Sequence, residues 1–141
     1  MRIPPLEPVV RVVTALRAAG LNPAVGGSGL LVALGLAEVA NDWDVTVDAD
    51  AETVREALDA ASLTYRELDQ GRYVIDGVDV MVNFALTGPA GVEALPTRVT
   101  GEWQGLPIGD PEVWARAYRL LGREAKADLL ERYLESREHQ I

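Results

Sequence analysis

The sequence predicts an α/β (α+β) domain in which a mixed β-sheet is flanked by helices. Apolar and polar residues alternate in residues 41–47, "NDWDVTV", and again in residues 77–84, "GVDVMVNF", as they do in half-buried strands. Other segments repeat apolar residues every three or four positions, as helices do. At 141 residues the chain fits a single domain with a real core. We expect a core over residues 1–109 and helices packed on it over residues 110–141.

The N-terminal segment predicts a helix, a strand and a second helix in that order. The first helix begins after Pro4-Pro5 and ends at Gly20, and its apolar positions are Leu6, Val9, Val10, Val13 and Leu16. A short strand over residues 22–25 then enters a glycine turn at residues 26–29. An apolar helix follows the turn and ends near Gly35.

The middle of the chain predicts a helix and further strands. Asp50 is placed to cap a helix that runs through Ala61. Strands are expected over residues 62–68 and 72–84. Because Asp-Gly is a strong signal for a two-residue hairpin, Asp76-Gly77 predicts that the second strand folds back on itself there.

The last third of the chain predicts an irregular connector followed by helices. Residues 87–109 are rich in Gly, Pro and Thr and predict a connector with a short strand or two. Asp110-Pro111-Glu112 is a strong helix start, and an apolar stripe of Val113, Trp114, Ala117, Tyr118 and Leu121 follows it. A final helix comes after Gly122. The lone histidine, His139, lies near the C-terminus and is assigned no role.

Acidic residues share the polar face of the two predicted strands. Residues i and i+2 of a strand point to the same side, so Asp42, Asp44 and Thr46 share one face while Trp43, Val45 and Val47 are buried under it. In the later strand, Asp79, Met81 and Asn83 lie opposite Val78, Val80, Val82 and Phe84. The pattern therefore predicts a cluster of three carboxylates.

A cluster of this kind predicts a divalent cation. Like charges held close together raise one another's pKa and need compensation. Mg²⁺ prefers oxygen ligands and completes its shell with substrate phosphates, and Mn²⁺ is an alternative. Asp42 and Asp44, roughly 6 to 7 Å apart along a strand, suit two metals about 3.5 to 4 Å apart. The alternative explanation is that these aspartates are merely solvated.

The glycine turn predicts an anion site beside the carboxylates. Gly26 and Gly27 allow backbone N–H groups to approach a phosphate, Ser28 offers a hydroxyl, and the following helix presents its N-terminus. The stretch matches neither a P-loop nor GxGxxG nor GxSxG. A tight turn without a ligand is the alternative.

Basic residues of the last helices are candidate phosphate ligands. Arg116, Arg119, Arg123 and Lys126 follow one another at three- and four-residue spacing, which places them roughly along one helical side. One or two of them would neutralise a triphosphate. The alternative is ordinary surface charge.

Composition excludes several classes of function. The chain has no cysteine, so disulfides, thiolate metal sites and cysteine nucleophiles are absent. Its net charge of −9 argues against a broad nucleic-acid surface. No apolar run approaches the ~20 residues of a membrane span, and no signal peptide is apparent. We therefore expect a cytoplasmic protein.

Strand, Gly-Gly-Ser turn, helix, Asp-x-Asp strand and a third aspartate on a later strand together resemble the nucleotidyltransferase superfamily of the DNA polymerase β type. The resemblance is strongest to its small bacterial members with a short C-terminal helical tail. The matching residues are Gly26-Gly27-Ser28, Asp42-Trp43-Asp44 and Asp79, with Gly122, Arg123 and Lys126 as recognisable points of the tail.

The resemblance implies an ATP-binding or other NTP-binding enzyme that transfers NMP to a hydroxyl acceptor and releases pyrophosphate. Asp42 and Asp44 would hold Mg²⁺ (or Mn²⁺), and Asp79 would ligate the catalytic metal and help to activate the acceptor. Gly26, Gly27 and Ser28 would bind the triphosphate together with Arg123 and Lys126. The acceptor could be a small molecule, a protein or an RNA.

The chain departs from the pattern of this superfamily in two ways. Glu38 and Ala40 stand where many relatives have an arginine and a threonine. The acceptor-binding domain of larger members is also missing, so a homodimer or a partner chain would have to supply it. A catalytically inactive nucleotide-binding relative, or one component of a toxin–antitoxin or defence pair, is therefore the alternative hypothesis.

Overall fold

The computed structural model describes residues 1–69 and 71–138, so His139 lies outside the described residues. Within these ranges the α/β class and the helix-flanked mixed sheet are confirmed. The helices are α1 (Leu6–Ala18), α2 (Gly27–Ala33), α3 (Ala51–Ala60), α4 (Pro111–Leu120) and α5 (Glu124–Glu138). The strands are β1 (Ala24–Gly26), β2 (Trp43–Val47), β3 (Arg66–Leu68), β4 (Arg72–Ile75), β5 (Val78–Val82), β6 (Ala85–Gly88), β7 (Gly91–Ala94), β8 (Gly101–Trp103) and β9 (Leu106–Ile108).

Most of the described strands form one mixed sheet in the order β3-β4-β5-β2-β1-β9-β8, and β6 and β7 form a separate hairpin. β2 lies at the centre, antiparallel to β1 and parallel to β5. The parallel register pairs Asp44 with Asp79 and Val45 with Val80. The two strands therefore bring their acidic residues side by side on one face of the sheet.

Two apolar cores lie on opposite faces of the sheet. One core contains α1, α3 and the buried side of β2, where Trp43, Val45 and Val47 are almost fully enclosed. The other contains residues of α2, α4 and α5, and Met81 packs against it. Asp44 points to the second side, so helices α2, α4 and α5 surround the acidic face. Among the described residues, no helix has the length and apolar character needed to cross a membrane.

The first helix is present, but one of its predicted inner positions is wrong. Val10 is 41% exposed, whereas Val12, which the pattern omitted, is fully buried. Val9, Val13 and Leu16 are buried as expected. The inward stripe is therefore rotated slightly from the predicted one.

The hairpin at Asp76-Gly77 is confirmed. Both turn residues have positive φ, 47° and 80°, as a two-residue hairpin turn that matches the sheet twist requires. The turn fixes the register of the two strands, pairing Ile75 with Val78 and Arg72 with Met81. The preceding strand is shorter than predicted, because β3 begins only at Arg66.

The alternation predicted for the later strand ends two residues early. β5 stops at Val82, and Asn83 adopts a left-handed φ of 52°. This turn moves Phe84 to the opposite core, where its ring stacks on Trp114 with centroids 5.2 Å apart. The prediction that Phe84 shares the buried side of Val82 is therefore wrong.

The two predicted helix caps differ in outcome. Asp110 accepts a hydrogen bond from the backbone N–H of Glu112 at 2.9 Å, and Pro111 is the first helical residue, so this helix start is confirmed. Asp50 occupies the cap position of α3, but its side chain makes no capping bond with the described residues. That capping prediction is wrong.

The stretch over residues 87–109 is more ordered than the predicted connector. β8 and β9 pair with each other, and β9 extends the main sheet beside β1. Between the two hairpins, Thr97 donates to the hydroxyl of buried Thr46 at 2.8 Å, and its N–H donates to Asp48 at 2.9 Å. This contact holds the connector against the end of β2. The domain division at residue 109 stays a prediction.

Candidate active site

A cleft of about 770 Å³ opens on the acidic face of the sheet. Residues from β2, α2, the β6–β7 hairpin and the C-terminal helices line it. Its ionic and polar lining comprises Gly27, Ser28, Asn41, Asp42, Asp44, Arg72, Asn83, Thr87, Arg123 and Lys126. A cleft of this size lies within the range of small-ligand sites.

The paired aspartates reach the cleft from the start of β2. Asp42 precedes the strand and is exposed, and Asp44 is half-buried one pleat further on. The residues between and beyond them, Trp43 and Val45, are buried in the opposite core. The pleat therefore anchors the strand from below while both carboxylates face the same opening.

Asp79 lies beside Asp44 but is held by an arginine. The parallel register makes Asp44 and Asp79 direct neighbours on β2 and β5. The Arg72 guanidinium donates to Asp79 through its terminal nitrogen at 2.6 Å and through Nε at 3.4 Å. Arg72 is among the residues that line the cleft, and Asp79 is not.

The carboxylates fit a magnesium ion as a pair. Among the described residues, no three carboxylate, histidine or cysteine side chains are arranged to surround one ion. Asp42 and Asp44 alone supply the one or two carboxylates that Mg²⁺ takes when substrate phosphates complete its shell. The oxygen donors present thus suit this ion. The metal-binding roles of Asp42, Asp44 and Asp79 stay predictions.

Charge crowding is strongest at Asp44. Burial is the largest cause that raises the pKa of its carboxyl, from 3.8 to about 6, and the neighbouring charges of Asp79 and Asp42 add to it. Arg72 and Lys126 oppose the shift. A cation bound at this point would relieve the same repulsion, since opposite charge favours the ionised carboxylate.

Each of three glycines in the turn makes room for a different side chain. A Cβ at Gly26 would lie 2.1 Å from the Trp114 ring, and one at Gly29 would lie 3.0 Å from Trp43. At Gly27, which has a φ of 58°, a Cβ would lie 2.2 Å from an Asp44 carboxylate oxygen. Gly27 and Ser28 line the cleft, whereas Gly26 lies against the Trp114 indole.

The basic residues of the C-terminal helices divide into two pairs. Arg123 and Lys126 line the same cleft as Asp42 and Asp44. Arg116 is bonded to Glu93 at 2.7 and 2.8 Å, and Arg119 is bonded to acidic residues of α5. The predicted single helical side is wrong, because α4 ends at Leu120 and Arg123 lies in the connection to α5.

An apolar wall completes the cleft. Its members are Val39, Met81, Val82, Phe84, Ala85, Leu86, Val92, Trp114, Tyr118 and Leu121. Val92 and Leu121 are 79% and 51% exposed, so Leu121 does not belong to the buried stripe predicted for α4. The Lys126 ammonium lies 5.5 Å from the Tyr118 ring centroid. This contact connects the apolar wall to the basic residues of the cleft.

Three solved structures share this architecture. A solution structure of the antibiotic-resistance factor ANT(2″)-Ia has a TM-score of 0.64 at 14% identity, with 89% of this chain and 82% of that chain covered. A crystal structure of ANT(2″)-Ia in complex with adenylyl-2″-tobramycin has a TM-score of 0.63 at 15% identity, with 92% and 89% covered. A candidate nucleotidyltransferase from Thermotoga maritima has a TM-score of 0.57 at 22% identity, with 91% of each chain covered.

The chain has a nucleotidyltransferase-type fold. No protein-family model and no curated protein matches the sequence, so the likeness lies in the arrangement of helices and strands. Most of the length of each neighbour is matched. The comparisons therefore establish the fold, and the roles of the cleft, of Gly27 and Ser28, and of Asp42 and Asp44 stay predictions.

Arg72 is the charged cleft residue that sequence reasoning missed. The sequence contained a signal for the position of Arg72, because the two-residue turn at Asp76-Gly77 fixes the register of β4 against β5. In that register Arg72 pairs with Met81, which shares a face with Asp79 two residues earlier. Diagonal cross-strand neighbours are within reach of long side chains, so the hairpin itself places a guanidinium beside the third aspartate.

Replacing Gly27 by alanine should disrupt the site beyond its effect on the backbone. The left-handed φ costs an alanine about 1 to 2 kcal/mol, and the new methyl would also overlap the Asp44 carboxylate. Gly20→Ala is the matched control, because Gly20 has a φ of 80° and open space around its Cβ position. Urea unfolding should show a larger loss for Gly27→Ala, and Asp44→Ala in the same chain should recover part of it. Equal losses for the two single variants would contradict the contact.

Asp44 should make the metal-free protein less stable as pH rises. Its pKa is raised from 3.8 to about 6 in the folded state, so the folded protein binds this proton more tightly than the unfolded chain does. The resulting stabilisation is complete below about pH 4, is lost as pH rises through about 6, and amounts to roughly 2 to 3 kcal/mol. Urea unfolding in EDTA at a series of pH values measures it.

Asp44→Asn should remove this part of the pH dependence and raise the free energy of unfolding near pH 7. Asp50→Asn removes one exposed carboxylate elsewhere and controls for the change in net charge. A pH profile for Asp44→Asn with the same slope as that of the parent between about pH 4 and 6 would refute the assignment.

Proposed function

We propose that the protein is a divalent-metal-dependent nucleotidyltransferase that transfers NMP from an NTP to a hydroxyl acceptor. The observation that carries the proposal is one cleft in a nucleotidyltransferase-type fold that is lined by Asp42 and Asp44, the acidic wall, and by Arg123 and Lys126, the cationic wall. Gly27 and Ser28 also line the cleft, where they offer backbone N–H groups and a hydroxyl as hydrogen-bond donors. This arrangement suits a magnesium-bound triphosphate.

The reaction exchanges one phosphate bond for another. The acceptor hydroxyl oxygen bonds to the α-phosphorus, the bond to the bridging oxygen of the β-phosphate breaks, and pyrophosphate leaves with that electron pair. Bound Mg²⁺ would supply charge stabilisation and orient the phosphate oxygens. The carboxylates of Asp42 and Asp44 would hold the ion. Asp79 would help to hold the ion and would accept the hydroxyl proton.

The cationic wall would hold the leaving group. Arg123 and Lys126 supply positive charge where the β- and γ-phosphates of an extended triphosphate would lie, and Ser28 supplies a hydroxyl donor. Lys126 already acts on Asp44 electrostatically, since it lowers the pKa of that carboxyl. The acidic and basic walls are therefore close enough to act on one bound nucleotide.

We infer a small-molecule acceptor. The ANT(2″)-Ia neighbour was crystallised with adenylyl-2″-tobramycin, and a cleft of about 770 Å³ lies within the size range of small-molecule sites. The net charge of −9 disfavours an RNA acceptor. ATP and tobramycin are therefore the first pair to test, followed by the other NTPs.

Asp42→Asn and Asp44→Asn should each abolish Mg²⁺-dependent release of pyrophosphate. Loss of a carboxylate that holds the ion removes charge stabilisation worth several kcal/mol, so a fall of at least about a hundredfold is expected. A coupled pyrophosphate assay with ATP, Mg²⁺ and tobramycin measures the rate.

Asp50→Asn, which changes the net charge equally, should leave this rate unchanged. Turnover that survives both site substitutions would refute the proposal. ATP binding without release of pyrophosphate, whichever NTP and acceptor are supplied, would favour the inactive nucleotide-binding relative instead.

Lys126→Gln and Arg123→Gln should weaken binding of ATP more than binding of AMP. Each loses a charged hydrogen bond to the terminal phosphates, which corresponds to about a tenfold change in the dissociation constant for ATP. Arg132→Gln is the matched control, because Arg132 is exposed on α5, the helix that carries Lys126, and does not line the cleft. Calorimetric titrations with the two nucleotides would measure the difference, and equal losses for ATP and AMP would contradict a role at the terminal phosphates.

A further inference from the structure

The Arg72–Asp79 pair differs from the other strong ion pairs of the chain in its position. Arg72 lines the nucleotide cleft, and its guanidinium holds both oxygens of Asp79, at 2.6 and 3.4 Å. The Arg116–Glu93 pair is equally well formed but its two residues lie outside the cleft lining. The Asp79 side chain is only 24% exposed. The Arg72–Asp79 ion pair is therefore part of the site and is not an ordinary surface ion pair.

The sheet register favours a cation at this point. Asp44 and Asp79 are direct partners on neighbouring parallel strands, and like charges directly opposite each other destabilise a sheet. Arg72 reaches this pair from β4, because its partner Met81 lies two residues from Asp79 on the same face. The Arg72 guanidinium is bonded to Asp79 and so balances part of the negative charge of the Asp44–Asp79 pair. A divalent ion bound to both carboxylates would balance the same charge.

We propose that Arg72 is a positioning residue that takes the place of the metal ion at Asp79 and releases this carboxylate when the ion binds. The inference rests on the proposed function, since it concerns the same ion site. Arg72 competes for one ligand and places a positive charge next to the ion. The free protein therefore binds a divalent cation weakly, and Asp79 joins Asp42 and Asp44 only after the guanidinium has moved.

A coupling between nucleotide and metal follows from the position of Arg72. Once released from Asp79, its guanidinium lies in the cleft that receives the triphosphate, where phosphate oxygens are the next available acceptors. A nucleotide that engages Arg72 therefore raises the affinity of the site for the ion, and the ion raises the affinity for the nucleotide by the same factor. The ion pair thus disfavours loading of metal without substrate.

Binding of Mn²⁺ to the whole protein without nucleotide tests the proposal, with free Mn²⁺ measured by electron paramagnetic resonance. Arg72→Gln should bind Mn²⁺ about tenfold more tightly than the parent, because the guanidinium no longer competes for Asp79 and no longer repels the ion. The double variant, in which Asp79→Asn is added to Arg72→Gln, should lose this increase in Mn²⁺ affinity. Arg116→Gln removes an equivalent pair elsewhere and should leave the affinity unchanged.

A second measurement addresses the coupling. The factor by which a non-hydrolysable ATP analogue increases Mn²⁺ affinity should be smaller in Arg72→Gln than in the parent. Thermal unfolding establishes that each variant is folded, and Arg72→Lys, which keeps the charge without the two-pronged contact, should give an intermediate Mn²⁺ affinity if Arg72→Gln does not fold.

Unchanged or weaker Mn²⁺ binding in folded Arg72→Gln, or in Arg72→Lys where that variant is used, overturns the inference. A loss of ATP affinity with unchanged Mn²⁺ affinity also overturns it, since Arg72 would then be only a phosphate ligand. Failure of the proposed function is a separate result: tighter Mn²⁺ binding in Arg72→Gln, together with no release of pyrophosphate by the parent protein, would refute the transferase and leave the role of Arg72 supported.

Discussion

The parallel pairing of β2 with β5 is the constraint on which the candidate site depends. It places Asp44 directly beside Asp79 and at the same time seals the site from below, because the alternate residues of both strands are buried in one core. A slip of one residue would turn every carboxylate into that core. The burial of Trp43, Val45, Val78 and Val80 therefore enforces the proximity of charges that repel each other.

Close approach of backbone to side chain is the second condition of the site. Gly27 sits against the Asp44 carboxylate, and Gly26 sits against the Trp114 ring. The first contact belongs to the ionic wall and the second to the packing of α4 on the sheet. Adjacent glycines thus serve different purposes. The pair joins the acidic strand to the C-terminal helices, so the turn is structural at Gly26 and available to a ligand at Gly27 and Ser28.

The sequence predicted best where one local rule acts alone. Alternation in β2, the Asp76-Gly77 turn and the Asp110 cap each depend on neighbouring residues, and each appears as expected. Asn83 shows the opposite case, because its left-handed φ ends the alternation and sends Phe84 to the other core. The pairing of β9 with β1 depends on residues about 80 positions apart in the chain, and no local pattern specifies such a partner.

The candidate site, like the fold, could be predicted only as far as local patterns reach. Three aspartates could be assigned to one face by the period of a strand, but whether their oxygens meet depends on which side chains stand between them. Arg72 is such a side chain, and only the hairpin register reveals it. The division of the four basic residues also could not be predicted, because it depends on where α4 ends and on the acidic partners that Arg116 and Arg119 find.

The two walls of the cleft are held by different forces. The acidic wall is anchored by the buried residues Trp43, Val45 and Val47 of β2, whereas α5 buries only Ala127 and Leu130 among its described residues. Ion pairs from Arg119 to Glu124, Asp128 and Glu131 join α5 to α4, and pairs at the surface weaken as salt screens them. Lys126 is carried on this helix, so its position in the cleft depends partly on ion pairs that salt weakens, whereas the position of Asp44 depends on the burial of its strand neighbours.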